Sequence, residues 1–145
     1  MSTAKNGVHI GPPRFKIAVH SIVWLAKSGN VLSSTMIANQ VDSHATFIRR
    51  VMQSLAEAGI VGSKGGREGG YSLKKSAPDI TLGDIYAAVN TFEADQEFNV
   101  DCGDAGEQLD LELEKILFEV EQRTIDYLQQ YTIADVMERV DFFDI

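Results

Sequence analysis

The stretch FIRRVMQSLAEAGIVGSKGGREGGYSL, residues 47–73, changes its hydrophobic period once, and that change decides the fold class. Phe47, Ile48, Val51, Met52, Leu55 and Ala56 recur at the three-and-four spacing of one helical face, as far as Gly59. Two short apolar-bearing segments then flank a run of glycines, which permits the backbone angles that a tight hairpin tip needs. A helix followed directly by a β-hairpin is predicted. The GGREGG run has neither a strand-to-helix setting nor a Gly-Lys-Ser/Thr ending, so it does not read as a nucleotide-binding loop.

Upstream, RFKIAVHSIVWLAKSG predicts a first helix from Arg14, closed by Gly29. VLSSTMIANQV predicts a short second helix with Ser33 or Ser34 as its N-cap, and Asp42 and Ser43 form a capping pair ahead of the third. Downstream, Pro78 breaks the chain. Thr81-Leu82-Gly83-Asp84 then has the form of a capping box opening a fourth helix. The acidic run from Asn90 to Gly106 has no clean period and reads as a loop.

A long helix follows, with Leu109, Leu113, Ile116, Val120 and Tyr127 as one stripe and Leu117, Thr124, Leu128 and Tyr131 as another. So long a two-striped helix exceeds what one small domain covers, which points to the same helix of a second subunit; packing on its own domain is the alternative. Thr132 caps a last short helix, and residues 141–145 fold back or cover the partner. The expected organisation is an N-terminal extension (1–13), a winged helix-turn-helix domain (14–90), an acidic loop (91–106), and a dimerisation helix with a C-terminal segment (107–145). The fold class is mainly α with a small β-hairpin wing.

The formal charge of −8 is unevenly spread along the 145 residues. Through Pro78 there are ten Lys and Arg against three acids, a net of +7, and from Asp79 onward three bases face eighteen acids, a net of −15. One pole suits phosphate and the other repels it. No apolar run approaches the length that spans a bilayer, and residues 1–13 fit neither a secretory signal nor a transit peptide, so a cytoplasmic protein without a membrane partner is expected. No nucleophile-base pair or metal-ligand cluster marks an enzyme.

The order helix, short helix, longer helix, hairpin is that of winged helix-turn-helix proteins, whose third helix enters the major groove. Helix N-termini offer free amides to phosphate, which makes Ser33, Ser34 and Thr35 phosphate candidates; Ser43, His44, Ala45 and Thr46 lead the third helix into the groove. For Ser33 and Ser43, simple capping is the competing role, and one side chain can serve both. Arg49 is the candidate base reader, because a guanidinium grips guanine O6 and N7 together. Arg50 lies about 100° round the helix from Arg49, so one of them faces DNA and the other the domain edge. Lys64 and Arg67 flank the wing glycines and suit phosphate or a minor groove.

Residues 47–73, with ITLGDIYAAV after them (80–89), resemble the signature of the Rrf2 family of bacterial repressors, and the resemblance extends from Arg14 to about Val140. It implies a homodimeric repressor with a long crossed helix on an imperfectly palindromic operator. Gly65 stands where relatives often carry an arginine, which shifts the minor-groove role to Arg67. Relatives often hold an iron-sulfur cluster on three cysteines after the fourth helix. Here Cys102 is the sole cysteine, so one subunit cannot assemble that site and no cofactor is expected. His20 sits where a partner-derived ligand approaches in some relatives, although a packed or surface side chain is the plainer role.

Cys102 itself is either an ordinary cysteine or a thiol redox sensor. Asp101 and Asp104 disfavour its thiolate, whereas a nearby helix start or Arg123 would favour it. A protein or small-molecule effector completes the expected partners. The rival reading is a protein-interaction module whose acidic half regulates a metabolic enzyme or a protein complex.

Overall fold

The computed structural model describes residues 12–67, 69–90 and 103–142. Helix α1 (Pro13–Ser28) starts with a proline at its first position, where no N–H is needed, and ends on Gly29 in the left-handed conformation. Helices α2 (Ser34–Val41) and α3 (Ala45–Glu57) follow, then strands β1 (Val61–Lys64) and β2 (Gly70–Leu73). A single 3-10 turn (Ala77–Asp79) leads into α4 (Leu82–Asn90), and α5 (Gly103–Leu128) and α6 (Ile133–Glu138) complete the described chain.

One core joins these elements. Ile22 and Leu25 of α1, Ile37 of α2, Ile48, Met52 and Leu55 of α3, Ile85 of α4 and Ile133 of α6 are all buried in it. Burying each such side chain contributes roughly 1.5–3 kcal/mol. The buried Ser21 hydroxyl donates to the Ile17 carbonyl at 2.8 Å, so no polar group of that helix face is left unpaired. The hairpin is antiparallel with Val61 opposite Leu73 and Lys64 opposite Gly70. Leu32, just before α2, adds a bridge to Tyr71 through paired backbone bonds of 2.9 and 2.8 Å.

Three local expectations change. Asp42 does not cap α3: it closes α2 in the left-handed conformation (φ 56°), and His44 takes the N-cap position of α3 without a side-chain bond. The tight α2–α3 turn needs a positive φ there, and aspartate tolerates it better than most residues. The box at α4 forms in half. Thr81 Oγ1 accepts from the Asp84 amide at 3.0 Å, while the Asp84 carboxylate is engaged by Gln129, in the turn that follows α5. The long helix begins at Gly103, inside the segment read as loop to Gly106.

The end of α5 is pinned back onto the domain. The Leu82 amide donates to the Tyr131 carbonyl and the Ile133 amide to the Ile80 carbonyl, both at 2.8 Å. Thr132 and Asp135 then form a complete capping box for α6. Replacing Thr132 with alanine is expected to lower stability by about 1 kcal/mol in a denaturant titration, because one helix-start donor loses its acceptor. Tyr127 and Tyr131 meet with their hydroxyls 3.3 Å apart, and that hydrogen bond raises the Tyr127 phenol above its ordinary pKa.

Although α5 is 26 residues long, none of them is buried. Only its last third leans on α4, through half-buried Glu121, Ile125 and Leu128. The helix therefore neither packs along its length on its own domain nor hides its apolar stripe. Leu109, Leu113, Ile116, Val120 and Tyr127 keep 45–61% of their surface exposed. Among the described residues no helix is long and apolar enough to cross a membrane.

Candidate nucleic-acid interface

The face opposite the buried side of α3 is polar. Burial of Ile48, Val51, Met52 and Leu55 leaves Thr46, Arg49, Arg50 and Gln53 pointing outward, each exposed. Arg49 is held in place: its guanidinium donates to Ser34 Oγ at 3.4 Å and to Thr46 Oγ1 at 3.2 Å. The N-terminal turns of α2 and α3 are thus joined through the side chain best suited to grip a base edge. A fork whose rotamer is already selected loses less entropy when it binds.

Ser33 is the N-cap of α2, accepting from the Met36 amide at 3.1 Å. Thr35 and His44 are exposed and Ser43 is half-buried. Ala45 is also half-buried and packs its methyl against the core, so it starts the helix more than it presents a group. Arg50 is exposed beside Arg49, so both arginines lie at the surface.

The wing reaches this face through Leu32. Because Leu32 bridges Tyr71 and Lys64 pairs with Gly70, the end of β1 lies two strand spacings from the start of α2, about 10 Å. Lys64 and Arg67 are both exposed there. Gln53 is a further exposed polar residue of this face, beyond the sequence candidates. It lies four residues beyond Arg49 and about 40° round the helix, and its side-chain amide is of the kind that pairs with an adenine edge. The i+4 step from Arg49 is the signal that finds it.

A family model described as Rrf2, iron-dependent transcriptional regulator, matches residues 13–139. The chain belongs to the Rrf2 family. Protein aau3 of Rhizobium meliloti (strain 1021) is 32% identical over 132 residues, covering 83% of this chain and 80% of that protein. YwnA of Bacillus subtilis (strain 168), which carries the name HTH-type transcriptional regulator, is 29% identical over 131 residues, covering 88% and 96%. The solved structure of CymR, the global cysteine regulator of B. subtilis, shares the fold with a TM-score of 0.64 at 19% identity, covering 92% of this chain and all of that one (100%). This Rrf2 protein is a transcriptional regulator with a winged-helix fold, and its relatives are regulators, not enzymes.

The iron in the family's description is not matched by this chain's donor set. Cys102 is the only thiol in the sequence, and it lies outside the described residues. Among the described residues no three His, Cys, Asp or Glu side chains gather where one ion could be held, and His20 is an exposed residue of α1. One thiol per subunit does not supply the thiolates that an iron-sulfur cluster needs.

Proposed function

We propose that this Rrf2 protein is a homodimeric repressor that reads a palindromic operator with α3 and grips its flanks with the wing. The Arg49 bridge between Ser34 and Thr46 carries the reading. It places a bidentate donor at the exposed start of α3, between two helix N-termini whose free amides suit phosphate. Ser33, Ser34, Thr35 and Ser43 to Thr46 take the backbone on either side, while Arg49, with Gln53 or Arg50, reads bases. Lys64 and Arg67 serve the phosphates or minor groove beside the wing. The partner that covers the apolar stripe of α5 is a second copy. Two copies of one stripe are self-complementary about a two-fold axis, and the acidic surface around the stripe faces away from DNA.

Selection from random duplex DNA is the test, and the expected result is enrichment of an inverted repeat. Recovery of no sequence above competitor would overturn the proposal. On the selected operator, Arg49→Ala is expected to cost about 1–3 kcal/mol and to flatten preference at one position of each half-site. Arg67→Ala should weaken binding to all sequences alike and lower its salt dependence, since a phosphate contact carries no base information. Cys102→Ser separates a thiol signal from any other: oxidant should release wild-type protein from the operator and leave the variant bound if the thiol is the sensor.

A further inference from the structure

Only the last third of α5 touches α4, so one joint sets the angle between the long helix and the reading head. Beside the half-buried Ile125 and Leu128 and the backbone bond from Leu82 to Tyr131, that joint carries two side-chain ties. At the start of α4 the Gln129 side chain uses both ends of its amide: Oε1 accepts from Thr81 Oγ1 at 2.6 Å and Nε2 donates to Asp84 Oδ1 at 3.0 Å. Thr81 Oγ1 in turn accepts from the Asp84 amide at 3.0 Å. At the other end of α4 the Asn90 amide donates to the Glu121 carboxylate. The two ties are eight residues apart, at Glu121 within α5 and at Gln129 just past its end, about 12 Å by helical rise, and two separated ties fix an angle where one would leave a pivot.

Gly83 makes the closer tie possible. A Cβ there would meet Gln129 Cδ at 2.6 Å and the Ile125 carbonyl oxygen at 2.7 Å, and the latter is backbone that cannot swing aside. A joint meant only to be stable would be served by larger apolar residues facing each other. This one instead brings the two helices into near contact and orients them by directional bonds.

We infer that Gln129 is a positioning residue that fixes the exit angle of α5 and thereby selects the spacing between the two half-sites of the operator. The inference rests on the dimer reading above. The C-terminal end of α3, at Ser54, Glu57 and Ala58, lines the same cleft as Asp84, Ala87 and Ala88 of α4, so α3 projects away from the joint. Its 13 residues make a lever of about 20 Å. A rotation of about 10° at the joint moves the far end by roughly 3.5 Å, close to the rise of one base pair. The joint must hold to a few degrees for a dimer to tell one spacing from the next.

The test uses the full-length protein and the operator recovered by selection, alongside versions with one base pair inserted or removed at the centre. Wild type is expected to prefer the native spacing by about tenfold or more, and Gln129→Ala to narrow that ratio to within about threefold. Base preference within each half-site and the dimer in sedimentation should be unchanged. Thr81→Ser, which keeps the hydroxyl, should retain the discrimination, and Thr81→Val should lose it; because that hydroxyl also caps α4, a Thr81→Val protein that melts lower yet keeps the wild-type spacing ratio counts against the inference. If Gln129→Ala does not fold, Asn90→Ala loosens the other end of the joint and should relax spacing in the same way. A folded, dimeric variant that keeps the wild-type ratio overturns the inference alone, whereas a monomeric wild type overturns the dimer reading and the inference with it.

Discussion

Replacing Gly70 with alanine is expected to destabilise the protein by about 2–3 kcal/mol, a fall in Tm of roughly 8 °C for a domain of this size, and to weaken DNA binding at the same time. The cause is a close approach of backbone to backbone. A Cβ at Gly70 would stand 2.3 Å from the Leu32 carbonyl oxygen, 2.6 Å from the Leu32 carbonyl carbon and 2.8 Å from the Ser33 nitrogen. None of those atoms can rotate away, so relief requires opening the Leu32–Tyr71 bridge with its bonds of 2.9 and 2.8 Å. The same bridge leads straight into the N-cap of α2, so the wing and Ser33 to Thr35 shift together. Gly65 is the internal control. It sits in the same glycine run with nothing within 4 Å of its missing Cβ, and Gly65→Ala should change stability by less than about 0.5 kcal/mol. Thermal melts of both variants, with binding to one duplex, check the pair; equal melts would remove the argument from the bridge.

Ile116→Glu is expected to convert the proposed dimer to monomer and to reduce operator affinity on the order of a hundredfold or more, since the second half-site then binds without the benefit of linkage to the first. Ile116 is 57% exposed within the single chain, so the substitution removes no packing from the fold. In a two-fold contact each carboxylate would be desolvated against apolar neighbours, with a second copy of itself nearby and no partner charge. Sedimentation and a concentration-dependent melt give the readout: the wild-type Tm should rise with protein concentration and that of the variant should not. Gln108→Glu adds the same charge on the exposed surface of α5 outside the stripe, and the dimer should survive it. A variant that remains dimeric would place the interface elsewhere.

Much of this architecture is legible in the residues themselves. The six helices and the hairpin follow from hydrophobic period, and the buried apolar residues of α3 fall among the predicted positions, because burial of one face is a local, repeating constraint. Ser33 caps α2 and Thr132 caps α6 for the same reason: a cap bonds to an amide three residues away. Asp42 closes α2 instead of capping α3 because a residue between two helices can close one or open the other, and the choice depends on the angle of the turn joining them. Glycines show a similar limit. Gly65 and Gly70 look alike in GGREGG, yet of the two only Gly70 lies against distant backbone, that of Leu32 and Ser33.

The sequence by itself determined the element order, the separation of a basic pole from an acidic one, the outward polar face of α3 and the apolar stripe along α5. All of these depend on spacing within a segment or on charge summed along it. Only the tertiary structure decided that Arg49 is held by Ser34 fifteen residues away, that the wing is joined to α2 through Leu32 and Tyr71, and that Gln129 reaches back 45 and 48 residues to Asp84 and Thr81. Those bonds have no period and no fixed spacing. They exist because the packed core brings distant turns within about 3 Å, a distance no linear pattern encodes.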